Sequence, residues 1–163
     1  MINFLSCKSS KILVTEDVVD IQKYAGLWYE IARLPNSFEK GLECVTATYT
    51  VQEKGKIEVL NKGHLSEDKS QIKKIKGTAW VPNDNYPGRL KVRFFWPFSA
   101  NYYIIALDKN YSVALVGTPS RKYLWILSKN KELDNKTYDD LLETAKSNGF
   151  NVENIMKVNQ DCH

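Results

Sequence analysis

The sequence predicts an all-β protein, an eight-stranded antiparallel up-and-down β-barrel with one C-terminal α-helix packed outside it. Three observations lead to this prediction. Short β-rich segments recur at near-regular spacing, apolar and polar residues alternate within them, and one amphipathic segment follows the last of them. A chain of 163 residues can bury one core, so we predict one domain, over residues 19–163. Residues 1–18 are expected to form an N-terminal lead-in.

Segments with turn chemistry separate the predicted strands. The breaks at 53–55, 82–88 and 118–120 contain the Gly, Pro, Asn and Ser residues that favour turns. We expect the eight strands at residues 27–34, 45–52, 56–64, 71–82, 89–95, 101–108, 112–117 and 122–129.

Alternation within the strands predicts which side chains face the barrel interior. Over 45–51, apolar residues alternate with threonines, so one face is expected to be buried and the other wet. The same period points further side chains inward: Ile57, Val59, Asn61, Leu90, Val92 and Phe94. The last three strands are apolar on both faces and therefore need cover outside the barrel as well.

One amphipathic helix is available to supply that cover. Its apolar stripe consists of Tyr138, Leu141, Leu142 and Ala145. We expect Asp139 and Asp140 in its first turn and Gly149 at its C-terminal end, where glycine adopts positive φ without strain. A short last strand is expected at 156–158.

Three motifs carry a family resemblance. Gly26-Leu-Trp28 opens the first strand, Asp108-Lys-Asn-Tyr111 forms the turn between the sixth and seventh strands, and Lys129 ends the eighth. In this order they resemble the signature motifs of the lipocalin family, particularly its apolipoprotein D-like and bacterial outer-membrane lipoprotein members. The resemblance implies that Trp28 closes the barrel floor beneath a basic side chain. The family usually has Arg at that position, and Lys129 keeps the charge without the planar guanidinium.

The resemblance also implies a ligand pocket inside the barrel. Five residues match cavity positions of apolipoprotein D-like members: Tyr49, Asn61, Phe94, Tyr102 and Trp125. The strand alternation adds Ala47 and Val92 to this set. Such a lining suits a fatty acid or lysophospholipid, stored or transported during cell-envelope maintenance. Arg33 is a candidate for contact with an anionic head group, whereas the alternation points Arg93 outward.

Cys44 and Cys162 match positions that form a disulfide in apolipoprotein D. A disulfide implies an extracytoplasmic location, namely the outer membrane or periplasm of a bacterium, or secretion from a eukaryotic cell. The alternative is a pair of reduced, buried thiols. Cys7 ends a Phe-Leu-Ser-Cys stretch that resembles the end of a bacterial lipoprotein signal, although a full signal's basic start and apolar run are missing. Cys7 is therefore either a lipidation candidate for membrane attachment in a longer precursor or an incidental thiol.

Composition argues against several other functions. The net charge is only +4, and the lysines of 69–76 have no accompanying aromatic stacking motif, so we predict no nucleic-acid binding. The two histidines are His64, which is out of register with the inward residues, and His163. They do not suit a catalytic triad, a metal site or a haem, so we predict no enzyme, metal or cofactor.

Two alternatives to ligand transport remain open from the sequence. The first is a thiol-dependent lipid isomerase that uses Cys44 as its nucleophile. The second is a barrel filled by its own side chains whose surface docks a partner protein. In either case we expect a monomer or a weak dimer.

Overall fold

A computed structural model describes residues 12–162, which form a nine-stranded antiparallel sheet and two α-helices. The strands are β1 (Gly26–Arg33), β2 (Leu42–Val51), β3 (Ile57–Leu65), β4 (Ile72–Trp80), β5 (Arg89–Phe95), β6 (Phe98–Leu107), β7 (Val113–Gly117), β8 (Leu124–Ser128) and β9 (Met156–Lys157). The helices are α1 (Ile21–Tyr24) and α2 (Asn135–Ser147), and a 3-10 turn occupies Glu53–Gly55.

The sheet closes into a barrel through β1. Strands β2 to β8 pair in chain order, the first half of β1 pairs with β2, and its second half pairs with β8. The short β9 pairs with the end of β1 at Ala32 and Arg33. The predicted fold, a closed antiparallel eight-stranded barrel with one C-terminal helix, is confirmed.

Two apolar clusters stabilise the fold. The inner cluster lies inside the barrel and includes Trp28, Ile57 and Leu90. The outer cluster lies between the barrel wall and α2, and includes Leu124, Ile126 and the helix residue Ala145. Strand β8 serves both clusters, because Leu124 and Ile126 point outward while Leu127 points inward. This double burial explains why the last strands are apolar on both faces.

Helix α2 begins earlier than the sequence pattern indicated. Asp134 is its N-cap, and the Asp134 side chain accepts a hydrogen bond of 2.9 Å from the Thr137 backbone N–H. The predicted place of Asp139 and Asp140 in the first turn is therefore wrong, because the helix starts at Asn135 and they lie in its second turn. Gly149 has a φ of +87° just beyond the helix, as its predicted terminating role requires.

Part of the predicted lead-in packs against the barrel. Leu13 is buried in the outer cluster, and the Glu16 backbone N–H donates to the Ile104 carbonyl at 3.0 Å. The Glu16 carboxylate accepts a hydrogen bond of 3.0 Å from the Leu107 backbone N–H. The four-residue α1, capped by the Asp20 side chain, was not predicted. Cys7 and His163 lie outside the described residues.

Candidate functional site

The floor of the barrel, where β1 begins, is closed by Trp28. Its indole N–H donates to the Tyr24 carbonyl at 2.7 Å, and the Lys129 ammonium lies 4.4 Å from the centroid of the Trp28 ring. Lys129 also donates to the Ala25 carbonyl at 2.6 Å. Gly26 has a φ of +103°, and a Cβ there would lie 3.2 Å from the Lys129 nitrogen. A side chain at Gly26 would thus strain the backbone and crowd the cation.

The turn between β6 and β7 is held by Asp108. Its carboxylate accepts hydrogen bonds from the backbone N–H groups of Ser112 and Val113, at 2.6 and 2.7 Å. Burial acts to raise the pKa of Asp108, but these hydrogen bonds outweigh it and lower that pKa. In the same turn, the Tyr111 hydroxyl accepts a hydrogen bond of 2.9 Å from the Asp20 backbone N–H. The turn is thereby joined to the segment that carries α1.

Three tyrosine hydroxyls meet inside the barrel. The hydroxyls of Tyr24 and Tyr102 lie 2.6 Å apart, and Tyr49 donates to the Tyr102 hydroxyl at 2.9 Å. Burial raises the pKa of all three phenols well above the ordinary value of 10.0. They therefore remain neutral at physiological pH and act as hydrogen-bonding groups rather than as charges.

The inner face of the barrel changes character with distance from the floor. Ile57, Val59 and Leu90 are buried near the floor. Except for the buried Tyr49, the predicted pocket residues are only partly buried: Ala47, Asn61, Val92, Phe94, Tyr102 and Trp125. Solvent reaches an inward-facing side chain only where other side chains leave the interior unfilled. The inner side chains are therefore fully buried at the floor and partly accessible to solvent toward the opposite end of the barrel, which we call the mouth.

Strand register brings the predicted pocket residues together. Ala47 lies directly opposite Asn61 on the neighbouring strand. The Asn61 side-chain oxygen is buried and accepts no hydrogen bond from any residue within 12–162. The Phe94 ring packs over Gly77, where a Cβ would approach the ring to 2.7 Å. Asn61 is thus an unused acceptor between the aliphatic residues Ala47 and Ile75 of the neighbouring strands.

A buried ionic cluster that the sequence did not reveal lies near the mouth. Arg33 donates to the Glu30 carboxylate at 2.7 Å and to the Glu39 carbonyl at 2.9 Å. The Glu39 carboxylate accepts a hydrogen bond of 3.0 Å from the Trp125 indole N–H. Burial raises the pKa of Glu30 well above its ordinary value, and the nearby Glu39 carboxylate raises it further, although Arg33 acts in the opposite direction.

This cluster changes the role expected of Arg33. Its guanidinium is buried and also donates to the Leu42 carbonyl at 3.0 Å, so its donors serve the protein's own acceptors. The suggestion that Arg33 contacts an anionic head group is therefore wrong. Regular strand alternation places residues 30 and 33 on opposite faces, so the sequence carried no signal for the Glu30–Arg33 ion pair.

A groove of about 510 Å³ lies outside the barrel, between α2 and the β6–β7 turn. Its carboxylates are those of Glu16, Asp108, Glu132, Asp134 and Asp140. Most of them already accept protein hydrogen bonds: Glu16 from β6, Asp108 within its turn, and Asp134 as the cap of α2. The groove contains none of the predicted pocket residues, and we do not assign the ligand site to it.

Cys44 and Cys162 form the predicted disulfide, with Cα atoms 6.2 Å apart. It links β2 to the segment after β9, where the Gln160 side chain also donates to the Glu30 carbonyl at 2.8 Å. Within residues 12–162, no helix is long and apolar enough to span a membrane. No group of three or more potential metal-ligating side chains occurs in that same part of the chain.

Comparison with known proteins agrees with this architecture. A family profile described as a lipocalin-like domain matches residues 19–160, most of the chain. The chain is a lipocalin. This lipocalin is 42% identical to the outer membrane lipoprotein Blc of Vibrio cholerae, over 86% of the chain and 82% of that protein. It is 38% identical to apolipoprotein D of Macaca fascicularis, over 87% of the chain and 77% of that protein.

Solved lipocalin structures share the fold of this chain. Insecticyanin from the tobacco hornworm Manduca sexta superposes with a TM-score of 0.71 at 25% identity, covering 91% of this lipocalin and 84% of insecticyanin. Apocrustacyanin C2 superposes with a TM-score of 0.70 at 19% identity, covering 86% and 79% of the two chains. At that identity, the second likeness concerns the fold alone.

Proposed function

We propose that this lipocalin binds a small amphiphilic lipid in its barrel and stores or transports it. The observation that carries the proposal is the change along the inner face, from buried side chains at the floor to partly exposed ones toward the mouth. An interior lined by aliphatic and aromatic side chains with a few polar groups suits an acyl chain that carries one polar head.

The polar groups favour a lysophospholipid over a fatty acid. The unused Asn61 oxygen is an acceptor, and it matches a ligand that donates, such as the glycerol hydroxyl of a lysophospholipid. A fatty-acid carboxylate has no proton to donate to this oxygen at neutral pH and would use only the N–H groups of the Asn61 amide. Near the mouth it would also meet the Glu39 carboxylate, while Arg33 is occupied by protein acceptors.

We further propose that the chain acts outside the cytoplasm. The Cys44–Cys162 disulfide and the similarity to proteins named outer membrane lipoprotein and apolipoprotein D support this location. Lipidation of Cys7 in a longer precursor would attach a bacterial form to the outer membrane, where lipid carriage would serve envelope maintenance. The domain boundary before residue 19 and a monomeric or weakly dimeric state remain part of this proposal.

The two alternative functions have less support. A thiol-dependent isomerase needs a thiolate, but the Cys44 sulfur is bonded to Cys162. A filled barrel would bury its inward-facing side chains, but Ala47, Val92 and Phe94 are only partly buried. Ligand carriage therefore accounts for more of the observed geometry than either alternative.

Isothermal titration with lysophosphatidylcholine and palmitate, on the wild type and on an Ala47→Trp variant, tests the proposal. In an open barrel, the added indole occupies free volume, so stability changes little while affinity falls at least tenfold, about 1.4 kcal/mol. In a packed barrel, it instead costs about 1–3 kcal/mol or more of stability. Thr50→Trp, on the exposed outer face of β2, is the matched control and should alter neither quantity. Absence of binding to either lipid, together with a large loss of stability in Ala47→Trp, would refute a hollow barrel.

A further inference from the structure

An exposed aromatic cluster forms the tip of the β5–β6 hairpin. Phe95, Trp96 and Phe98 are 68%, 82% and 77% exposed, and Phe95 pairs across the hairpin with Phe98. All residues from 95 to 100 are exposed, so this tip projects beyond the barrel wall. Clustered apolar side chains of this size on a water-soluble surface mark a place where the molecule contacts something else.

The aromatic tip, residues 95–98, lies at the mouth of the barrel. Strand β5 ends and β6 begins there, at the end opposite the Trp28 floor. Phe38, in the β1–β2 loop at the same end, is 61% exposed and packs beside Trp125, with ring centroids 6.4 Å apart. Single exposed apolar residues such as Val18, 78% exposed, occur elsewhere but have no aromatic neighbours in sequence.

Exposed lysines surround the aromatic tip at the mouth. They are Lys40 in the β1–β2 loop, Lys69 in the β3–β4 loop, Lys73 and Lys74 at the start of β4, and Lys122 in the β7–β8 loop. Exposed acidic groups at this end are Glu67, Asp68 and Asp161, and Glu39 is buried. Lys69 forms an ion pair of 3.5 Å with the partly exposed Glu43, which leaves the other four lysines to dominate the charge. Basic side chains therefore predominate around the apolar tip. This combination suits a surface that is anionic outside and apolar a few ångströms below, as a bilayer of anionic lipids is.

We propose that the mouth docks on an anionic lipid bilayer, with the aromatic tip inserted among the head groups and the lysines on the lipid phosphates. Tryptophan and phenylalanine are typical of the apolar faces that peripheral proteins bury at this depth. Docking places the opening of the barrel against the membrane. A lipid can then pass between bilayer and barrel without crossing water, a step that rests on the proposed function, whereas docking itself does not.

Vesicle flotation of the full chain tests the docking proposal. Cys7→Ser is included throughout, so that no acyl group contributes to binding. Vesicles of phosphatidylcholine with a minority of phosphatidylglycerol should carry the protein upward, and pure phosphatidylcholine should carry much less. Trp96→Ser/Phe98→Ser should lower the partition coefficient at least tenfold, about 1.4 kcal/mol. Val18→Ser, which removes an equally exposed apolar side chain away from the mouth, should leave the coefficient unchanged.

A second variant addresses the charge contribution. Lys73→Glu/Lys74→Glu should weaken binding to the anionic vesicles but not to pure phosphatidylcholine. Salt at about 1 M should also weaken binding to the anionic vesicles, because it shortens the screening length to about 3 Å. Lysophosphatidylcholine affinity in solution should stay unchanged in the tip variant, so a failure of docking is distinguishable from a failure of ligand binding.

Three results would overturn docking. The first is that the wild type does not float, and the second is that the tip variant floats as well as the Val18 control. The third is concentration-dependent dimerisation, measured by sedimentation velocity, that disappears in the tip variant while no form binds vesicles. That result would make a second copy of the chain the occupant of this surface.

Discussion

Replacing Lys129 tests how the floor of the barrel is held. The Lys129 ammonium lies 4.4 Å from the centroid of the Trp28 ring and donates to the carbonyls of Ala25 and Tyr24, at 2.6 and 3.3 Å. Lys129→Met keeps a flexible apolar stem of similar length but removes the charge and all three donors. It therefore isolates the contribution of the cation from that of side-chain volume.

The expected loss follows from these contacts. A cation over an indole face contributes roughly 0.5–2 kcal/mol, and a hydrogen bond from a charged donor contributes about 1.5–3 kcal/mol. Lys129 remains partly exposed, so water recovers part of both contributions, and we expect Lys129→Met to lower the free energy of unfolding by about 2 kcal/mol. Lys129→Arg should retain most of the stability, because a guanidinium stacks on the ring and still donates.

Urea unfolding monitored by circular dichroism measures these differences. The control is Lys157→Met, which removes an exposed lysine 4.7 Å from the centroid of the Tyr138 ring and should cost about 0.5–1 kcal/mol. If Lys129→Met costs no more than this control, the cation does not stabilise the floor. If Lys129→Arg is as destabilising as Lys129→Met, the loss comes from the shape of the side chain and not from its charge.

Three further predictions concern the disulfide, the pocket and the buried acid. Cys44→Ser/Cys162→Ser should lower the free energy of unfolding by up to about 5 kcal/mol, because the bridge spans a sequence separation of 118. The urea midpoint should fall accordingly, and an unchanged midpoint contradicts this. Asn61→Leu should weaken lysophosphatidylcholine binding about tenfold, or about 1.4 kcal/mol, while palmitate affinity falls less; equal losses for both lipids contradict the proposed hydrogen bond. Glu30 has its pKa raised above the ordinary 4.5, so the folded state keeps a proton that the unfolded state releases, and wild-type stability falls as pH rises above that value. Glu30→Gln should remove this part of the pH dependence of the free energy of unfolding. If that free energy varies with pH in the same way in both proteins, Glu30 does not contribute to the dependence.

Local signals made most of the fold predictable. Alternation over β2 and β3 identified their inward residues, and turn residues located most strand ends. The apolar stripe of α2 was visible at a spacing of three and four residues. Elements without such a signal were missed: α1 has only four residues and no periodicity, and burial of Leu13 depends on contacts with residues distant in sequence.

The ionic cluster shows where alternation stops being informative. A register shift lies between Glu30 and Ala32 in the pairing of β1 with β8. Glu30 pairs with Leu127 and Arg33 with Trp125, and both partners pack against the inner cluster, so the bulge brings an acid and a base three residues apart to one side of the sheet. A strict period of two would place these two residues on opposite faces. No local feature of the sequence indicates a bulge at this point.

The distribution of burial shows how the proposed pocket is compatible with a stable fold. The floor, the cluster beneath α2 and the Cys44–Cys162 bridge all lie outside the proposed pocket, so much of the stability comes from elsewhere in the molecule. A buried acceptor without a partner costs about 1–3 kcal/mol in a sealed core, so the unpaired Asn61 oxygen argues against such a core at that depth. A ligand that donates a hydrogen bond to this oxygen would remove that cost. Substitutions beneath α2 should therefore reduce stability, whereas those around Asn61 should mainly reduce affinity.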